Sequence, residues 1–85
     1  MKKYKIQEIC QIIGVEDEII LKLVHKEWIQ PASPQDNEFD EEDLTRIRLI
    51  LDLMNNFDVN EEAVPIILHL VDQIHHLHFE LQRRS

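Results

Sequence analysis

From Ala63 to Leu81, apolar residues recur at intervals of four, three, four, three and four: Ala63, Ile67, Leu70, Ile74, Leu77 and Leu81. Only a helix puts such residues on one line, and the alternation is that of a coiled-coil seam nearly three heptads long. The stretch contains no glycine. Its one proline, Pro65, kinks or delays the first turns and leaves the remainder a straight rod. A solitary rod with an apolar seam needs a partner, and an identical chain is the simplest one. The spacing therefore predicts a homodimer with Ile67, Leu70, Ile74, Leu77 and Leu81 at its interface. Val64, Ile66, Leu68 and Val71 widen the early part, which is expected to pack on its own domain as well.

That domain has to come from the rest of an 85-residue chain. A chain this short buries about 60–65% of its unfolded surface, enough for one small core and a reason to oligomerise. A composition of 44% hydrophobic and 31% charged residues with a single glycine predicts a largely helical protein. Ile6, Ile9, Cys10 and Ile13 set a first helix at roughly residues 5–13, stopped by Gly14. Glu16, Asp17 and Glu18 then place negative charge in the first turn of a second helix, whose dipole favours it there. Ile19, Ile20, Leu23 and Val24 are its expected buried face, and it ends before Pro31. Two helices joined by a short Gly-Val turn make a helix-turn-helix pattern.

Pro31, Ser33, Pro34, Asp36 and Asn37 form a loop, a short hairpin or wing. Asp40 is the expected N-cap of a third helix, with Asp43 completing a capping box. Leu44, Ile47, Ile50, Leu51 and Met54 supply its apolar stripe up to Asn55–Asn56, where Asn takes the place of the usual Gly stop. Asp58 or Asn60 can cap the fourth helix.

The order helix-turn-helix, wing, helix, terminal helix resembles the MerR superfamily of winged-helix proteins. "IQEICQIIGVEDEIILKLVHKEWIQP" is similar to that family's opening, with Cys10 in place of a small buried alanine and Gly14-Val15 at the turn. "NEFDEEDLTRIRLILDL" is similar to the wing end and third helix, with Phe39 at the aromatic position. The resemblance implies a mainly all-α fold: a winged helix-turn-helix over residues 1–58 and a dimerisation helix over 59–85, the two helices of the pair antiparallel.

Two departures from the family pattern bear on function. DNA-reading members carry Arg-Tyr-Tyr late in the second helix, where this chain has Leu21-Lys22-Leu23. They also carry an arginine in the wing, where this chain has Asn37-Glu38. Arginine forks onto phosphate and base edges, whereas glutamate repels them. The charge distribution agrees: residues 31–60 set two arginines against eight acids, and the whole chain carries −8. Phosphate binding relies on Lys and Arg, so nucleic acid is an unfavoured partner and a cationic protein a favoured one.

With the tail "PIILHLVDQIHHLHFELQ", this pattern resembles the chaperone-modulator branch of the superfamily, the CbpM type. The branch implies an adaptor that binds the J-domain of a DnaJ-like co-chaperone (CbpA type) and keeps it from stimulating an Hsp70-class partner. Asp36, Glu38, Asp40, Glu41, Glu42 and Asp43 are the candidate partner-binding residues, since J-domains present a basic helix. The alternative is a MerR-type DNA-binding regulator, with Lys2, Lys3, Lys5, Lys22 and Lys26 as its phosphate contacts.

Other features read as structure. His75, His78 and Asp72 lack a second ligand cluster and are expected to flank the coiled coil, with Asp72 supporting a histidine. Cys10 lies on the apolar stripe as a buried spacer, and Trp28 and Ile29 are expected in the core, whereas Tyr4 and His25 carry no motif. No phosphate loop, nucleophile elbow or paired acid/base site is present, so neither an enzyme nor a cofactor is expected. With no signal peptide and no apolar run near 18 residues, the expected location is the cytosol.

Overall fold

The computed structural model describes residues 2–31, 33, 35–36 and 38–84; Pro34 and Asn37 of the predicted loop lie outside them. The elements in chain order are β1 (Tyr4–Lys5), α1 (Ile6–Ile13), α2 (Asp17–His25), β2 (Glu38–Phe39), α3 (Glu41–Asn55) and α4 (Val64–Arg84), the last preceded by a 3-10 turn at Glu61–Ala63. No helix among the described residues is long and apolar enough to cross a membrane.

Gly14 closes α1 in the left-handed conformation, φ 86°, and its N–H donates to the Cys10 carbonyl. That φ is available to glycine without penalty. α2 stops differently. Glu27 takes the left-handed position, φ 62°, while Glu27 N–H donates to Val24 O and Trp28 N–H to Leu23 O. These two bonds close a Schellman turn and swing Trp28 and Ile29 back into the core, at 9% and 1% exposure.

The wing is present in small form. Ser33 and Glu38 exchange both backbone hydrogen bonds, and Glu38–Phe39 pairs antiparallel with Tyr4–Lys5, placing Tyr4 opposite Phe39. Tyr4, to which the sequence assigned no motif, is thus a buried member of the core beside Phe39. The predicted capping box of α3 forms: Asp43 N–H donates to Asp40 Oδ1 at 2.8 Å, and Asp40 N–H to Asp43 Oδ2 at 3.0 Å.

Ile9, Ile20, Leu23, Ile29, Phe39, Ile47, Ile50 and Val64 are sealed from solvent and come from α1, α2, β2, α3, α4 and the segment after α2. Several expectations need correction. Ile19 is 42% exposed because the core side of α2 is taken by Ile20 and Leu23. Cys10 is half-buried, at the margin of the cluster. Asn56 stays right-handed and donates through its amide to Asp52; Asp58, φ 52°, takes the left-handed residue of that turn. Asn60 sits at the N-cap of the 3-10 turn, but its carbonyl rather than its side chain accepts, from Ala63 N–H.

Pro65 is the second residue of α4, where a helix has no use for an N–H, and the 3-10 turn before it delays the regular helix as expected. The helix then divides along its length. Val64 and Leu68 are buried at 0% and 3%, worth about 1.5–3 kcal/mol each. Ile66, expected to join them, is 63% exposed because it lies off the line of Val64 and Leu68.

Candidate partner-binding surface

The acidic edge is built by the start of α3. Asp40 and Asp43 occupy each other's backbone N–H groups, and Glu41, Glu42 and Asp43 lie in the first turn, where the helix dipole favours them. Glu41 also accepts a hydrogen bond from the Tyr4 hydroxyl, which ties β1 to α3. That bond to a carboxylate, followed by burial, raises the Tyr4 phenol above its usual range.

Glu41, Glu42 and Asp43 line a groove of about 580 Å³ between α3 and α4. Leu49 and Val71 contribute apolar walls, Arg46 borders the groove from α3, and Asp72 and His75 border it from α4. Asp36 and Glu38 do not line this groove. Asp36 N–H donates to the Ser33 carbonyl in the wing turn, and Glu38 is held in strand pairing opposite Lys5. Of the six predicted acids, Glu41, Glu42 and Asp43 line the groove, Asp36 and Glu38 belong to the wing, and Asp40 serves as the N-cap of α3.

Arg46 is the residue that sequence reasoning missed. Its Nε donates to the Trp28 carbonyl at 2.8 Å, and its Nη1 and Nη2 reach the two Asp72 oxygens at 2.8 and 3.3 Å. One guanidinium thus fastens the exit of α2 and the middle of α4 to α3, using the fork geometry that suits arginine to bidentate pairing. Asp72 was expected to support a histidine at helical spacing; its main partner is instead Arg46, because a fixed fork outcompetes a neighbouring imidazole. The Arg46 hydrogen bonds hold the Asp72 carboxyl below the usual carboxylate range, with smaller help from His75 and His69. Among the described residues, no group of three or more His, Cys, Asp or Glu side chains is placed to hold a metal ion.

The lysines of α2 face a different fate from the one a DNA-binding reading requires. Lys22 and Lys26 both meet Glu61, at 2.9 and 3.2 Å. Their hydrogen bonds and charge hold the Glu61 carboxyl below its usual range. Lys26 also lies over the Trp28 ring, Lys2 lies over Tyr4, and Lys3 donates to the Ser33 hydroxyl.

The predicted seam is visible on the other side of α4. Ile67 is half-buried, whereas Leu70, Ile74, Leu77 and Leu81 are 52%, 62%, 62% and 66% exposed.

Residues 4–84 match the family described as MerR HTH family regulatory protein. The curated relatives include "Chaperone modulatory protein CbpM" from three strains of Coxiella burnetii, Dugway 5J108-111, RSA 331 / Henzerling II and CbuG_Q212. Each is 31% identical over 80 residues, covering 92% of this chain and 76% of the relative. The relatives are named for modulation and the family for regulation, neither of them a catalytic activity. With the helix-turn-helix, the small wing and the long terminal helix all in place, the chain belongs to the MerR helix-turn-helix family and, within it, to the CbpM type.

Proposed function

We propose that the chain is a chaperone modulator: a homodimeric adaptor that binds the J-domain of a DnaJ-like co-chaperone and keeps it from stimulating an Hsp70-class partner. In this reading residues 1–58 carry the partner surface and residues 59–85 the dimerisation helix. Glu61 carries most of the argument. It pairs with Lys22 and Lys26, two of the five lysines on which phosphate binding would depend. The start of α3 presents carboxylates, so a cationic partner is favoured over a polyanion. The exposed line of Leu70, Ile74, Leu77 and Leu81 supports pairing of two copies through α4.

The test is a pair of titrations in moderate salt, one with the J-domain of the same organism's DnaJ-like co-chaperone and one with duplex DNA. The expected result is a J-domain complex that weakens with salt, a loss of co-chaperone stimulation of Hsp70 ATPase, and DNA binding no tighter than micromolar. Submicromolar DNA binding without a J-domain complex would replace this reading with that of a DNA-binding regulator using Lys2, Lys3 and Lys5. Reversing Glu41 and Glu42 to Lys is expected to weaken the J-domain complex and flatten its salt dependence.

A further inference from the structure

The seam of α4 reads the same from either end. Its intervals from Ala63 to Leu81, four, three, four, three and four, are symmetric about the level of residue 72. Two copies laid antiparallel about that level match every seam residue. Ala63 meets Leu81 of the partner subunit, Ile67 meets Leu77 of the partner subunit, and Leu70 meets Ile74 of the partner subunit. A shift of one layer either way would leave two seam positions of each copy without an apolar counterpart.

A parallel pair would match the same residues, so the ends of the helix decide. The head is acidic, with Glu61 and Glu62 in the turn before α4, and the tail is basic, with Arg83 and Arg84 in its last turn. A parallel pair would set acids on acids and arginines on arginines, align the two helix dipoles, and crowd both domains at one end. An antiparallel pair brings each tail to the other copy's head. The groups it brings there are free to meet. Glu61 is occupied by Lys22 and Lys26, and Arg83 lies 3.9 Å from Glu80 of its own chain. Among the described residues, Glu62 and Arg84 have no ion-pair partner within the chain, and both are exposed. Arg84 follows Leu81 at the next seam interval of three, and Glu62 directly precedes Ala63.

We propose that the tail of each copy locks onto the head of the other, with Arg84 paired to Glu62 of the partner subunit at both ends of an antiparallel seam. The proposal rests on the homodimer in the reading above. It adds to that reading a register and a charged site that neither copy can complete alone. The apolar seam supplies the affinity, since an exposed ion pair contributes little, and the two end contacts select orientation and register.

The test measures dimer dissociation of the full chain by analytical ultracentrifugation. Glu62→Arg and Arg84→Glu are each expected to raise the dimer Kd about fivefold at low ionic strength and less than about twofold near 1 M salt. Both reversals on one chain are expected to restore the original Kd, because the pair re-forms with its signs exchanged. In a Cys10→Ala background, Ile67→Cys with Leu77→Cys is expected to oxidise to a covalent dimer, whereas neither single cysteine links to its own copy. Single reversals that leave Kd within about twofold, while the double-cysteine chain still cross-links, would overturn the tail contact and leave the homodimer standing. Single losses that the combined reversal does not recover would trace to the fold rather than to pairing, and would overturn it as well. Either single cysteine linking to its own copy would overturn the orientation. A chain that is monomeric at every concentration would overturn the proposal together with the homodimer, with J-domain binding still measurable on its own.

Discussion

The two halves of α4 obey different rules. The first half is held from three sides: Val64 and Leu68 are in the core, Arg46 grips Asp72, and Glu61 just ahead of the helix holds Lys22 and Lys26. The second half leaves Ile74, Leu77, Phe79 and Leu81 58–66% exposed, yet its apolar line continues unbroken. One continuous helix thus serves as a core element at its start and as an exposed face at its end. The contrast teaches that one helix can be divided between core packing and an exposed apolar face, with the division set by where the domain stops.

The strongest way to break the comparison is at the far end. Ile74→Asp with Leu77→Asp is expected to convert the proposed dimer wholly to monomer by light scattering, while far-UV circular dichroism retains the fold. A variant that remained dimeric would move the assembly face elsewhere. Next in size is Leu68→Ala, which should cost about 2–5 kcal/mol in denaturant titration because it opens a cavity in the core. Ile74→Ala in dilute monomer should cost less than about 0.5 kcal/mol, as substitutions away from packed sites do. Equal costs would erase the distinction between the halves.

Arg46→Ala is intermediate, at about 1–2 kcal/mol, since it removes hydrogen bonds to a charged group and to a carbonyl at a partly exposed site. It also has a pH signature. Asp72 titrates below its unfolded value near 3.8, so its pairing stabilises the fold fully above that pH and is lost as pH falls through the lower folded value. Trp28 fluorescence is expected to report an acid-induced loosening below about pH 4 that Arg46→Ala flattens. The smallest effect belongs to Glu61→Gln, which should leave the melting temperature nearly unchanged while measurably strengthening weak duplex-DNA binding by freeing Lys22 and Lys26. No gain in DNA affinity would mean that the Glu61 clamp does not set the choice of partner.

What the sequence revealed was periodic or local. The stripes of α1, α3 and α4, the Gly14 stop and the Asp40–Asp43 box all depend on residues within a few positions of each other, and each formed. What it concealed was long-range. Tyr4 reaches Glu41 across 37 positions, Lys22 reaches Glu61 across 39, and Arg46 joins residues 18 and 26 positions away. No local spacing announces such partners, so Arg46 read as a charge and Tyr4 as isolated. The groove was half legible for the same reason: its acidic rim lies in one helical turn, whereas its other wall, Val71 to His75, arrives only through tertiary packing. The left-handed position at Glu27 was hidden because glutamate does not ordinarily signal that conformation, whereas Asp58 is of a residue type enriched there.

Gly14 closes α1 with φ 86°, and a Cβ built there would meet nothing within 4 Å. The demand at this position is therefore one of handedness, since there is room for a side chain. An L-alanine should strain the backbone by about 1–2 kcal/mol, as left-handed L residues do. A D-alanine introduced by chemical synthesis should instead stabilise the protein by about 0.4–1 kcal/mol, because the mirror-image residue prefers this conformation and restricts the unfolded chain. The turn of the helix-turn-helix is thus a stereochemical demand that glycine meets without strain, whereas Glu27 and Asp58 meet theirs with a side chain in place.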